Sequence, residues 1–115
     1  MNINHFGNSD GLISPEADFY YINSPKKDYS SLNEFRNAFV NKQIMNDTEI
    51  INFPISPHTF CEIRSGIIGG IENLITPVFE EEIISASILI DEWNLKCIIA
   101  ELTNIYVGYL WETSA

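Results

Sequence analysis

The chain has 115 residues, 45% of them hydrophobic and 12% aromatic, which is enough apolar material for one α+β domain spanning 1–115 and too much for wholesale disorder. A formal net charge of −10 repels nucleic acid and anionic lipid, both polyanions, and favours cationic partners. The opening MNINHFGNSDG has neither a basic start nor an apolar run, and no run approaches the about 20 residues of a bilayer span, so the expected compartment is the cytoplasm, with Cys61 and Cys97 as thiols.

Residues 1–16 are polar and turn-rich (Gly7, Asn8, Ser9, Asp10, Gly11, Pro15) and are expected to form a loop or a loosely held arm. Phe19-Tyr20-Tyr21-Ile22 is a short aromatic strand, and Ser24 to Asp28 a turn. Ser31-Leu-Asn-Glu34 fits a capping box, and Leu32, Phe35 and Phe39 follow at helical spacing, which predicts a first helix over 32–43. TEIINF, residues 48–53, predicts a short strand stopped by Pro54. Ser56-Pro57 starts a second helix, with serine as N-cap and proline in the first turn. Phe60, Ile63, Ile67, Ile71, Leu74 and Val78 follow as one apolar stripe, and Pro77 is expected to end the helix. Gly66, Gly69 and Gly70 lie inside that stretch at roughly 1 kcal/mol each relative to alanine, which close packing against a sheet would offset; a hairpin turning at Gly69-Gly70 is the alternative.

The rest predicts an antiparallel meander: Ile83 to Ile90, Trp93 or Asn94 to Leu102, and Ile105 to Glu112, joined by short links. The fold class is therefore α+β, an antiparallel sheet of four to six strands against two main helices. Pairing Ile90 with Leu95 sets Glu82 opposite Thr103. It gathers Glu80, Glu81, Glu82 and Glu101 at one end of the sheet and Asp91, Glu92 and Glu112 at the other. In that register Ile84, Ala86, Ile88, Leu95, Cys97 and Ile99 share a core face. Val107, Tyr109 and Trp111 share a mixed face with Ser85, Ser87 and Lys96, subject to the register of the last hairpin.

Catalytic signals are sparse. His5 and His58 are the only histidines, and His58-x-x-Cys61 lacks the further ligands a metal site needs, so neither a metal nor a cofactor is expected. Gly66-Ile-Ile-Gly69-Gly70 lacks the lysine and the preceding strand of a phosphate loop. An enzyme using Glu101 or His58 as base is the least supported reading. A small-molecule domain, with a pocket between the glycine-bearing helix and the sheet lined by Ile67, Ile71, Ile88 and Ile99, is the second.

The charge is unevenly placed. Residues 1–25 carry −3, residues 26–64 balance five basic against five acidic groups, and residues 65–115 carry −7 with Lys96 as their one base. Crowded carboxylates repel one another, and a cationic partner removes that penalty. Aromatics such as Trp93, Trp111, Tyr109 and Tyr21 are typical interface anchors. With segments such as EEEIISASILIDEW and YVGYLWE, the chain resembles bacterial immunity proteins, especially those paired with contact-dependent growth inhibition toxins. The resemblance is one of overall profile. It implies a non-enzymatic protein that binds the basic catalytic domain of a cognate toxin, often a nuclease, and blocks its active site or substrate path. The residues expected at the interface are Glu80, Glu81, Glu82 and Glu101 at one end of the sheet or Asp91, Glu92, Trp93, Trp111 and Glu112 at the other, with only one end used.

Overall fold

The computed structural model describes residues 1–7, 17–43, 50–69 and 74–113. Six strands form one antiparallel sheet in the order β1-β2-β6-β5-β4-β3. They are β1 (Asn2–Phe6), β2 (Ala17–Pro25), β3 (Phe53–Ile55), β4 (Ile83–Glu92), β5 (Leu95–Leu102) and β6 (Ile105–Thr113). Two helices, α1 (Leu32–Gln43) and α2 (Pro57–Ile68), cover opposite faces, so the α+β expectation of an antiparallel sheet packed on two helices holds.

Both helices begin as the sequence predicts. Glu34 N donates to Ser31 Oγ at 3.2 Å, while the Glu34 carboxylate reaches one residue further back than expected, accepting from Ser30 N at 2.7 Å. That amide holds the Glu34 carboxyl below its ordinary range. In α2, Ser56 Oγ accepts from Thr59 N at 3.1 Å and Pro57 occupies the first turn. The end of α2 differs from the prediction. It stops at Ile68, and Gly69 caps it at φ 43°, a left-handed conformation that glycine adopts without steric cost. Of the further stripe, Ile71 lies outside the described residues, Leu74 is exposed and Val78 packs on the core from beyond the helix.

Three more expectations need correction. The N-terminal residues are not all loop: 2–6 form β1, whose backbone pairs with β2 from Asn2↔Asn23 to Phe6↔Phe19, and residues 8–16 lie outside the described residues. The strand predicted over 48–53 falls partly outside the described residues, and β3 instead runs across Pro54, pairing Phe53↔Ile88 and Ile55↔Ala86. An edge strand tolerates proline because one row of its amides faces no partner.

The third correction concerns the faces. Two irregularities in β4, between Ile83 and Ser85 and between Ile88 and Ile90, each insert a residue opposite β5. The hairpin closes as Glu92↔Leu95 rather than Ile90↔Leu95, and the two insertions bring the far end back to Ile83↔Leu102. Each insertion also switches which face the following side chains occupy. Ala86, Ile88, Ile98, Ala100, Val107 and Tyr109 pack under α2 with Phe60 and Ile68. Leu89, Ile90, Cys97, Ile99, Tyr106 and Leu110 pack under α1 with Phe35 and Phe39. Both faces are thus core, and the expected mixed face does not exist as such; Val107, Tyr109 and Trp111 do share one side with Lys96.

Candidate partner-binding surface

The Glu101 end is occupied by the chain's own cations. Lys26 Nζ donates to Glu101 Oε2 at 2.6 Å and to the Leu102 carbonyl at 3.1 Å, and sits 5.3 Å from the centre of the Tyr106 ring. Ser85 Oγ adds a 3.5 Å contact to the same carboxylate. Glu101 alternates with Ala100 and Leu102, which face α2, so it points to the α1 side. Glu80–Glu82 form a single 3-10 turn before β4 on the α2 side, so the expected four-carboxylate cluster is divided between two faces. Glu80 Oε1 lies 2.7 Å from His58 Nδ1, and Glu62 Oε1 lies 3.0 Å from His58 Nε2. Both ring nitrogens therefore meet a carboxylate, and Glu80 first, then Glu62, raises the His58 pKa. Glu81 and Glu82 have no ion pair among the described residues.

The other end is also paired in part. Asp91, Lys96, Trp111 and Phe19 follow one another across four strands, and Lys96 Nζ donates to Asp91 Oδ1 at 2.6 Å. The next row, facing the other side, is Glu92, Leu95, Glu112 and Asp18. Asp18 and Glu112 are directly opposed, an arrangement that destabilises a sheet. Their fields, after burial, push the phenol of Tyr20 up. His5 stacks on Tyr20 at 4.5 Å between ring centres, and its Nε2 lies 2.9 Å from Asp18 Oδ1. Glu92 and Glu112 have no ion pair among the described residues. Asp18 was missed in the sequence because its only signal, a position within an acidic N-terminal stretch, does not reveal that β2 lies beside β6.

Between the Asp91 row and α2 is a groove of about 460 Å³, lined by Ile63, Gly66, Ile67, Trp93, Trp111 and the Asp91–Lys96 pair. Trp93, at the tip of the β4–β5 hairpin, is 72% exposed. Gly66 is not explained by close packing: a Cβ added there would have no heavy atom within 4 Å, although a glycine inside a helix costs roughly 1 kcal/mol relative to alanine. The pocket expected around Ile67, Ile71, Ile88 and Ile99 is a different place. Ile88 and Ile99 lie on opposite faces of the sheet, and Ile71 is outside the described residues.

Arg64 is a second feature the sequence did not disclose. It lies on the inward stripe of α2 between Phe60 and Ile68, is only 7% exposed, and donates to Tyr109 Oη and to the Thr76 carbonyl, each at 2.9 Å. Only the spacing Phe60-Arg64-Ile68, four residues each way, hints at burial. Cys97 is fully buried and Cys61 partly so, and burial raises both thiol pKa values. Among the described residues no group of three or more His, Cys, Asp and Glu side chains could hold a metal, and no helix is long and apolar enough to cross a membrane. No protein-family model, curated protein or solved structure matches the chain.

Proposed function

We propose that the protein is a non-enzymatic immunity protein, an antitoxin that captures the basic catalytic domain of a cognate bacterial toxin and blocks its active site or substrate path. The toxins of contact-dependent growth inhibition are the partner class its profile suggests, and a nuclease, whose substrate is a polyanion, is the activity that best fits an acidic inhibitor. The observation that carries this reading is the row Glu92–Leu95–Glu112–Asp18, in which Glu112 faces Asp18 across strands and Glu92 adjoins the exposed Trp93. Such a row weakens the free protein and is relieved when a partner supplies Lys or Arg, each able to form a charge-assisted hydrogen bond. Of the two acidic ends, this one is favoured for the interface because here two carboxylates, Glu112 and Asp18, stand directly opposite each other across neighbouring strands.

The test is co-expression. The domain encoded immediately upstream of this chain's gene is produced alone and together with the protein. Arrested growth with the domain alone, restored growth with both, and a complex that weakens as salt rises are the expected results. Absence of both protection and complex would rule the reading out. A small-molecule binding function is the second reading, favoured by the groove beside Gly66; native mass spectrometry of the purified protein would reveal a retained ligand.

A further inference from the structure

We infer that the pocket between α1 and the segment entering β3 binds a small carboxylic acid that carries several hydroxyl groups. This site is a different place from the groove beside Gly66, and it does not depend on toxin capture. Its volume is about 520 Å³, ample for a ligand of that size. The helix period builds one wall. Phe35 and Phe39 point into the core, so Arg36, Asn37, Val40 and Asn41 share the flank of α1 beside them. Ile50 and Asn52 form the facing wall. A bond of 2.9 Å from Ile51 N to the Leu89 carbonyl holds that segment at the sheet margin.

The lining selects the ligand. Among the described residues, Arg36 is the one charged side chain in the pocket. Its guanidinium donates to Asn37 Oδ1 at 2.8 Å, which steadies it, and it has no ion pair among the described residues. A carboxylate suits this group, because the planar fork of arginine N–H donors matches two carboxylate oxygens. Asn52 stands at φ 49°, which asparagine tolerates better than most residues. The side chains of Asn41 and Asn52 make no hydrogen bond among the described residues. A carboxamide both donates and accepts, as a hydroxyl does, so the asparagines match hydroxyls rather than a second charge. Val40 and Ile50 offer an apolar surface to the C–H face of the ligand. The carbonyl end of α1, at Gln43, repels an anion, so the carboxylate lies toward Arg36 and the hydroxyls toward Asn41. The net charge of −10 keeps a polyanion out, while a single carboxylate meets chiefly the adjacent guanidinium.

The test is an NMR titration of the isotope-labelled protein with three probes of similar size: methyl glucuronide, methyl glucoside and cyclohexanecarboxylate. The first carries a carboxylate and hydroxyls, the second hydroxyls alone, the third a carboxylate alone. Methyl glucuronide should shift the Arg36 Nε–H signal and the side-chain amide signals of Asn37, Asn41 and Asn52 saturably. It should bind about tenfold more tightly than either control, through one paired carboxylate or the hydroxyl contacts that the control lacks. Arg36→Gln should bring methyl glucuronide down to the level of methyl glucoside while the circular dichroism spectrum stays native. Asn41→Ala, at an exposed site, should weaken both sugars and leave cyclohexanecarboxylate unchanged. If Arg36→Gln fails to fold, Asn41→Ala decides. Absence of saturable shifts, equal binding of the three probes, or wild-type binding of methyl glucuronide by the folded variants overturns the inference. Toxin capture does not enter this readout, so such a failure leaves the immunity reading standing.

Discussion

Gly108 of β6 lies directly against the ring of Phe39 of α1: a Cβ at position 108 would stand 2.5 Å from Phe39 Cε2 and 2.9 Å from Cδ2. Phe39 is fully buried, so its ring has little room to retreat. The glycine is what allows α1 to approach the middle of the sheet. Gly108→Ala should therefore destabilise the protein by about 1–3 kcal/mol, the usual cost of overpacking, measured by urea unfolding. Adding Phe39→Leu should recover part of that loss, and a double variant no more stable than Gly108→Ala would count against the contact as the cause.

The buried guanidinium of Arg64 depends on Tyr109. Its Nε donates to the Tyr109 hydroxyl at 2.9 Å, and the group sits 5.3 Å from the centre of the same ring. Burial holds the Tyr109 phenol well above its ordinary pKa, so it stays a neutral acceptor. Tyr109→Phe keeps the ring and removes the acceptor. It should cost about 1–3 kcal/mol in urea unfolding, because a buried donor is left without its partner.

His58 links the first turn of α2 to the Glu80–Glu82 turn, and that link should weaken as pH rises. Glu80 and Glu62 raise its pKa above the ordinary 6.5. A raised folded pKa means the link contributes fully below the unfolded value and is lost as pH climbs through the folded one. NMR titration of the imidazole should give a midpoint above 6.5, which Glu80→Gln lowers more than Glu62→Gln. Backbone amides of the Glu80–Glu82 turn should exchange faster above that midpoint. A midpoint at or below the ordinary value would contradict the geometry.

The two acidic ends should respond differently to neutralisation. Glu112→Gln removes the repulsion across from Asp18 and should stabilise the free protein by about 0.5 kcal/mol, discounted for partial exposure. The same change, with Glu92→Gln, should weaken toxin-domain binding and flatten its salt dependence. Glu101→Gln should instead cost about 1 kcal/mol of stability by breaking the Lys26 pair, with binding unchanged. Thermal unfolding and affinity at two salt concentrations would check all three.

What the sequence discloses follows the range of the forces involved. The Ser31 and Ser56 helix starts and the three C-terminal strands are set by neighbours a few residues away, and all are legible. The end of α2 at Gly69 is masked by the apolar stripe that continues beyond it. β1 is masked because its side chains are mostly exposed and polar, so its pairing with β2 leaves no hydrophobic pattern. The faces of β4 are hidden by its two inserted residues, since a period of two carries no mark of where it slips. The pair Lys26–Glu101 joins residues 75 apart, and no local signal announces it. For that reason the carboxylates look more uniformly unpaired in the sequence than they are in the fold.

The sheet order places β6 between β2 and β5, so of the six strands the one translated last occupies the interior. Until it emerges, β2 and the β4–β5 hairpin have no shared partner, and α1 and α2 have no continuous sheet to cover. Closure of the sheet must follow synthesis of β6, with partners far apart in sequence meeting late. A nascent or truncated chain that ends before Ile105 would expose two unsatisfied strand edges and the undersides of both helices, a form suited to chaperones and proteases rather than to capture.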